Sequence, residues 1–304
     1  MKDIGIARLG WVLFLITLLL MGCASPPSKE LEDESKVVGD IGDTQPDAEG
    51  EIMIEGVGNF AFDPEAVETT RDDLFREGYF SLFDILVHLA DKGDIDLSYH
   101  FDEAMNTHVI DSIDGEANWW YMAYYSGGWP ENNVFRMDHF PYKDKMYIRI
   151  ESYDPKMLDS MYEVFREEVE RREQNDGKVI IPKVIISGPN TDLEFENVEV
   201  EAHDLRDDAL QPGVITAIDA ILTLGDQGEL NYKLQWYDSI GSADVVRSYW
   251  VEGIDSDVAG GRCGFVYEAG SHAYEGFRGN HIHLPSDMRV LNSPEYLEYF
   301  WICI

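Results

Sequence analysis

Gly78-Tyr-Phe-Ser81-Leu-Phe-Asp84-Ile-Leu-Val-His-Leu89-Ala-Asp91-Lys-Gly93-Asp-Ile95 aligns without a gap on Gly213-Val-Ile-Thr216-Ala-Ile-Asp219-Ala-Ile-Leu-Thr-Leu224-Gly-Asp226-Gln-Gly228-Glu-Leu230. The chain therefore contains an internal repeat. Each copy reads as a short capped helix. Ser81 or Thr216 stands at the N-cap with Asp84 or Asp219 three residues on, a capping box with Asp in place of Glu. Apolar residues at 82, 85, 86 and 89, and at 217, 220, 221 and 224, make one buried face. Gly93 and Gly228 suit the left-handed residue that closes a helix. Arg71-Asp72-Asp73 falls on Arg206-Asp207-Asp208 at the same offset.

Working outward, strand signals flank both helices. Ile52-Met53-Ile54 opens the first copy and Val184-Ile185-Ile186 the second. Downstream come Val109 to Ile113 and Trp119 to Tyr125 in the first copy. Tyr249 to Ile254 and Cys263 to Tyr267 follow in the second. Lys145 to Glu151 and Tyr296 to Ile304 close the copies. One helix among several strands, twice over, predicts an α+β fold of two domains, residues 51–153 and 178–304. Between them, 154–177 reads as an amphipathic linker helix. Asp154 caps it, Pro155 fits its first turn, and Met157, Leu158, Met161, Tyr162, Phe165 and Val169 form its apolar stripe.

The first copy resembles a known family. Ser81-Leu-Phe-Asp84-Ile-Leu, Val109-Ile-Asp-Ser112-Ile113-Asp-Gly115, Trp119-Trp-Tyr-Met-Ala-Tyr124-Tyr-Ser-Gly127 and Met146-Tyr-Ile-Arg-Ile150 look like the transcobalamin-type C-terminal β-domain. The resemblance covers residues 51 to 153 and, more faintly, 178 to 304. It implies two β-grasp-like domains, each a mixed sheet around one short capped helix, and a corrinoid as one ligand to consider. The helical barrel that accompanies this domain in transcobalamins has no counterpart in the sequence.

The N-terminus predicts export. Lys2 and Arg8 precede an apolar run from Leu9 to Met21, shorter than the ~20 residues that span a bilayer. It ends at Gly22-Cys23-Ala24-Ser25, which resembles a lipoprotein signal cleaved after residue 22, with acyl chains on Cys23 anchoring the chain. Residues 23–50 hold Pro26, Pro27, Pro46 and eight acidic residues, and read as a disordered tether. The expected location is a cell membrane or outer membrane, with the body outside the cytoplasm. Loss of the signal takes a net +1 from the chain's −36, leaving −37. Such a field repels phosphate backbones, so nucleic acid is excluded as a partner.

Three groups of residues carry candidate chemistry. Cys263 and Cys303 are an even pair in an exported body, either one disulfide or two buried thiols. Trp119, Trp120, Tyr121, Tyr124, Trp129 and Phe135 crowd one segment. Alternation puts one face of that strand in the core and leaves the other as core or as an aromatic platform for a ligand. His281 and His283 lie on one side of an extended segment, as surface histidines or as two zinc ligands. Sequence patterns for acyl transfer, phosphate cradling or dinucleotide binding are absent. The expectation is a non-catalytic module for a small ligand or a cell-surface protein, with no cofactor. A zinc-dependent hydrolase using His281 and His283, and a structural spacer or adhesin, are the alternatives.

Overall fold

The computed structural model describes residues 50–124, 134–241, 243–272 and 284–303. Within the first repeat the order is β1 (Glu51–Ile54), β2 (Gly58–Ala61), α1 (Leu82–Lys92), β3 (Leu97–Asp102), β4 (Thr107–Ile113), β5 (Trp119–Tyr124) and β6 (Tyr147–Ser152). Its sheet runs β2-β1-β6-β5, with β1 parallel to β6 at the centre and antiparallel pairs outside. Strands β3 and β4 form a separate antiparallel hairpin. After α2 (Pro155–Gln174), the second repeat has β7 (Ile180–Ser187), β8 (Asp192–Glu199), α3 (Ala217–Asp226), β9 (Tyr232–Tyr237), β10 (Ser248–Ile254), β11 (Asp257–Val258), β12 (Cys263–Gly270) and β13 (Tyr296–Cys303). Its main sheet, β12-β13-β7-β8, is the same arrangement, again with a parallel central pair. The fold is α+β, and the sequence repeat is a repeat of topology.

The matched residues hold matching places. In α1 the Asp84 carboxylate accepts from the Ser81 amide and hydroxyl, both at 2.7 Å, and closes the capping box. It also accepts from the Thr70 amide, the Thr70 hydroxyl and the Thr69 hydroxyl, tying the preceding loop to the helix start. Asp219 takes the Thr216 amide and hydroxyl in the same way. Gly93 and Gly228 have φ of 78° and 76°, and each is followed by an amide that reaches back to Leu89 or Leu224. Where the copies differ, the change is compensated. A Cβ on Gly225 would meet the Tyr232 ring at 2.3 Å; the first copy has Ala90 there and the smaller Leu97 opposite. Because Asp84 is buried with five donors, Asp84→Ala is expected to cost about 2–3 kcal/mol through its orphaned partners, read from urea unfolding.

The repeats meet in a reciprocal junction. Phe75 and Leu210 form an antiparallel bridge. The Arg76 amide donates to Ala209 O at 3.0 Å, and the Gln211 amide to Leu74 O at 2.9 Å. Arg76 Nε donates to Leu210 O, and Gln211 Nε2 to Phe75 O. Each bond is the other moved by the repeat offset, so an approximate two-fold relation passes between Phe75 and Leu210. The first core also takes in Ala209, Leu210, Leu284, Met288 and Val290 from the second repeat. The described residues make one compact unit with two cores.

Helix α2 is more than a spacer. Asp154 caps it through the Lys156 and Met157 amides, and Leu158, Met161, Val164 and Phe165 enter the first core. Met157, placed in the apolar stripe by its spacing, instead faces outward at 46 % exposure. The buried Glu168 pairs with Arg136, which also donates to Met105 O and Phe165 O. At its far end Arg171 donates to Ser293 O in the second repeat. No helix among the described residues is long and apolar enough to cross a membrane.

Candidate functional site

Both copies build the same latch around their repeated arginine. Arg71 forks onto Asp73 with both contacts at 2.8 Å, and its third nitrogen reaches the buried Asp138 at 2.9 Å. Arg206 forks onto Asp208 at 2.8 and 3.0 Å and reaches the buried Asp287 at 3.0 Å. The amide of His108 or Tyr249 donates to the same carboxylate. The arginines also lie over equivalent rings, Phe101 at 5.5 Å and Trp236 at 5.3 Å. Such pairs survive burial only because fork geometry and extra hydrogen bonds offset desolvation.

The two latches differ in how far they are satisfied. In the first, Thr107 donates to Asp138 Oδ1 at 2.5 Å and His108 Nδ1 lies 3.0 Å from Oδ2. Burial raises the Asp138 pKa; the adjacent His139, the His108 hydrogen bond, Arg71 and Thr107 outweigh it and hold the carboxyl well below the usual range. In the second latch Ser248 takes the place of Thr107, but its hydroxyl hydrogen-bonds to Lys143 Nζ at 2.8 Å and Val246 O at 3.2 Å. Asp287 Oδ1 is left buried without a hydrogen bond, and burial holds the Asp287 pKa raised.

The second latch forms one wall of a cleft of about 860 Å3 between the repeats. Arg206, Asp208, Trp236 and Arg247 come from the second repeat; Tyr79, Tyr142 and Lys143 come from the first. Tyr79 donates its hydroxyl to Asp208 across the gap at 3.2 Å. Arg247, at a positive φ of 45°, reaches Asp144 at 3.4 Å. Lys143 crosses to Val246 O and Ser248 Oγ. Burial pushes its ammonium down to about 7, opposed by Asp287 and Asp208 and reinforced by Arg206 and Arg247. Exposed Glu65, Glu68 and Glu77 stand at the mouth and make no ion pair among the described residues.

The predicted site residues fall elsewhere. Trp119 and Trp120 are each 5 % exposed, and Tyr121 and Phe135 1 %. Trp120 packs on Tyr162 and Phe165 of α2, while Tyr121 meets Phe140 edge-on and donates to Phe135 O at 2.8 Å. Phe135 lies under the Arg289 guanidinium at 4.1 Å. Helix α2 covers the face that alternation left open, which corrects the expectation of a ring platform at Trp119, Trp120, Tyr121 and Phe135. Half-buried Tyr124 stacks on Tyr147 at 4.8 Å. Cys23, Trp129, His281 and His283 lie outside the described residues. Cys263 and Cys303 face each other across β12 and β13 and are joined by a disulfide. Asp287 belongs to the latch, and among the described residues no His, Cys, Asp or Glu group has a metal-holding arrangement.

Sequence reasoning missed the cleft. Its one signal was the repeated Arg-Asp-Asp, which a shared helix does not explain because it precedes the helix in both copies. Comparison with family models, with curated proteins and with solved structures finds no match.

Proposed function

We propose that this chain is a membrane-tethered, extracytoplasmic binding module whose ligand enters the cleft between two β-grasp-like repeats. The tether is the lipid expected on Cys23. The β-grasp reading is supported by the shared strand order with a parallel central pair, and by one capped helix per repeat. The observation that carries the functional reading is the cleft itself: a concave, mixed-polarity site assembled from both copies. Clefts of this size at the junction of two packed lobes are the usual place for small ligands.

Charge selects the class. The two arginines in the cleft already have carboxylate partners, whereas Glu65, Glu68 and Glu77 at the mouth do not. Tyr79 and Trp236 add aromatic surface on either side. A strongly acidic chain, of net charge −36 over its full length, draws cations toward that mouth. A small polar ligand bearing an amino group fits: an amino sugar, a polyamine or a short basic peptide.

A thermal-shift screen of the mature protein against those three classes tests this. A ligand that binds only the folded state stabilises it by about 2.7 kcal/mol at a hundredfold excess over its Kd. Trp236→Ala should keep a cooperative unfolding transition and lose the ligand-induced rise. A rise that survives Trp236→Ala, or no rise with any class, would sink the reading.

A further inference from the structure

We propose that Lys143 is a covalent attachment site, a nucleophilic amine that condenses with the aldehyde of a ligand inside the cleft. The inference rests on the cleft being the ligand site and names what happens there.

The duplicated frame makes the residue stand out. The loops 135–142 and 284–291 correspond position by position. Tyr121 and Tyr267 donate to Phe135 O and Leu284 O, Asp138 and Asp287 accept from the arginines, and Phe140 O and Arg289 O receive the first helical amides. Tyr142 and Leu291 donate their amides to Phe80 O and Ile215 O. The next position is Lys143 in one copy and Asn292 in the other. Asn292 crosses to Asn106 of the first repeat at 2.9 Å, an amide-to-amide contact. The same crossing is thus made without a lysine in one direction and with one in the other, so the fold does not itself demand an amine.

The surroundings suit a reactive amine. Among its contacts, Nζ donates to Val246 O and to Ser248 Oγ, a carbonyl and a hydroxyl. Arg206 and Arg247 line the same cleft, and like charge disfavours the ammonium. Opposing them are Asp287 and Asp208, with Asp144 on the lysine's own segment. Asp287 is the largest of these opposing charges, and burial of the amine outweighs it. The free-amine form is therefore populated near neutrality, where an ordinary lysine of pKa ~10.4 is almost wholly protonated.

The step balances without a redox partner. The amine nitrogen attacks the carbonyl carbon, the C=O π electrons pass to oxygen, and an N–H proton moves to that oxygen to give a carbinolamine. Loss of water leaves the imine, so amine plus aldehyde yields imine plus water. The open-chain form of a reducing amino sugar supplies both the aldehyde and the amino group that the mouth favours.

Propanal with sodium cyanoborohydride, which reduces any imine to a stable secondary amine, tests the inference on the mature protein at pH 7. Peptide mass mapping should find Lys143 modified at least about tenfold faster than the exposed Lys145, Lys178 and Lys183, with the preference shrinking toward pH 10 as those lysines lose their protons. Lys143→Arg should abolish that adduct and leave the slow labelling of the others. Modification of Lys143 no faster than of those lysines would overturn the proposal, whether or not a ligand raises the melting temperature. Propanal labelling needs no ligand and the melting-temperature rise needs no adduct, so failure of the cleft reading and of this one are separately visible.

Discussion

Asp138→Ala is expected to destabilise the protein by roughly 3–5 kcal/mol, the range for removing one partner of a buried ion pair. The Arg71 side chain is 3 % exposed and the Asp138 side chain 0 %, so water cannot replace the lost carboxylate. Thr107, His108 and Arg71 would each lose an acceptor at once. The cost is one of lost packing, because the latch joins the loop before α1 to β4 and to the loop before β6. Its pH dependence follows from the depressed pKa. A carboxyl held below its unfolded value adds stability that is fully present above about pH 4 and is lost as pH falls through the native value. Urea midpoints measured between pH 7 and pH 2 should therefore decline on acidification for the wild type. Asp138→Asn should flatten part of that decline, and an unchanged slope would show that Asp138 is not a main source of it.

Reduction of the Cys263–Cys303 disulfide is expected to cost about 4 kcal/mol, from the loop-closure entropy of a 40-residue separation. The link fixes the last strand of the chain, β13, to β12, and β13 is also the parallel partner of β7 at the centre of the second sheet. Releasing it loosens the strand on which the second repeat depends. Cys263→Ser and Cys303→Ser should lower the urea midpoint equally, and the double variant should cost no more than either. If the two single variants differ widely, packing rather than the crosslink is being measured. The repeat without the disulfide should be barely affected locally, which amide exchange in β5 and β6 would report.

Much of the fold was legible because the repeat is written in residues with one structural meaning. Ser81, Asp84 and Gly93, and their partners Thr216, Asp219 and Gly228, mark where a helix starts and stops whatever packs around it. The strands β2, β3, β8, β9 and β11 were not read. Gly58–Ala61 has too few residues for alternation to register, and β3 and β9 are largely exposed hairpin strands without an apolar rhythm. The aromatic strand misled for a different reason. Alternation shows that residues share a face but not whether a later element covers it, and α2 begins only at Pro155, after the whole of β6 and well beyond the end of β5 at Tyr124. Whether Cys263 and Cys303 are bonded or are two buried thiols was open from sequence; register places Cys263 opposite Cys303. The cleft was invisible because it is made by apposition. Tyr79, Lys143, Arg206 and Trp236 are far apart in the chain, and the contacts between the repeats, the reciprocal Phe75–Leu210 junction among them, bring them to one place.

Amide hydrogen exchange with and without a ligand that raises the melting temperature tests the central claim most directly. The account predicts added protection in the segments that line the cleft, residues 64–69, 77–80 and 142–144 with Trp236, Val245 and Arg247, and no change in β5 or the outer face of α2. Protection confined to β5, or to segments remote from Lys143 and Trp236, would contradict the placement of the site between the repeats.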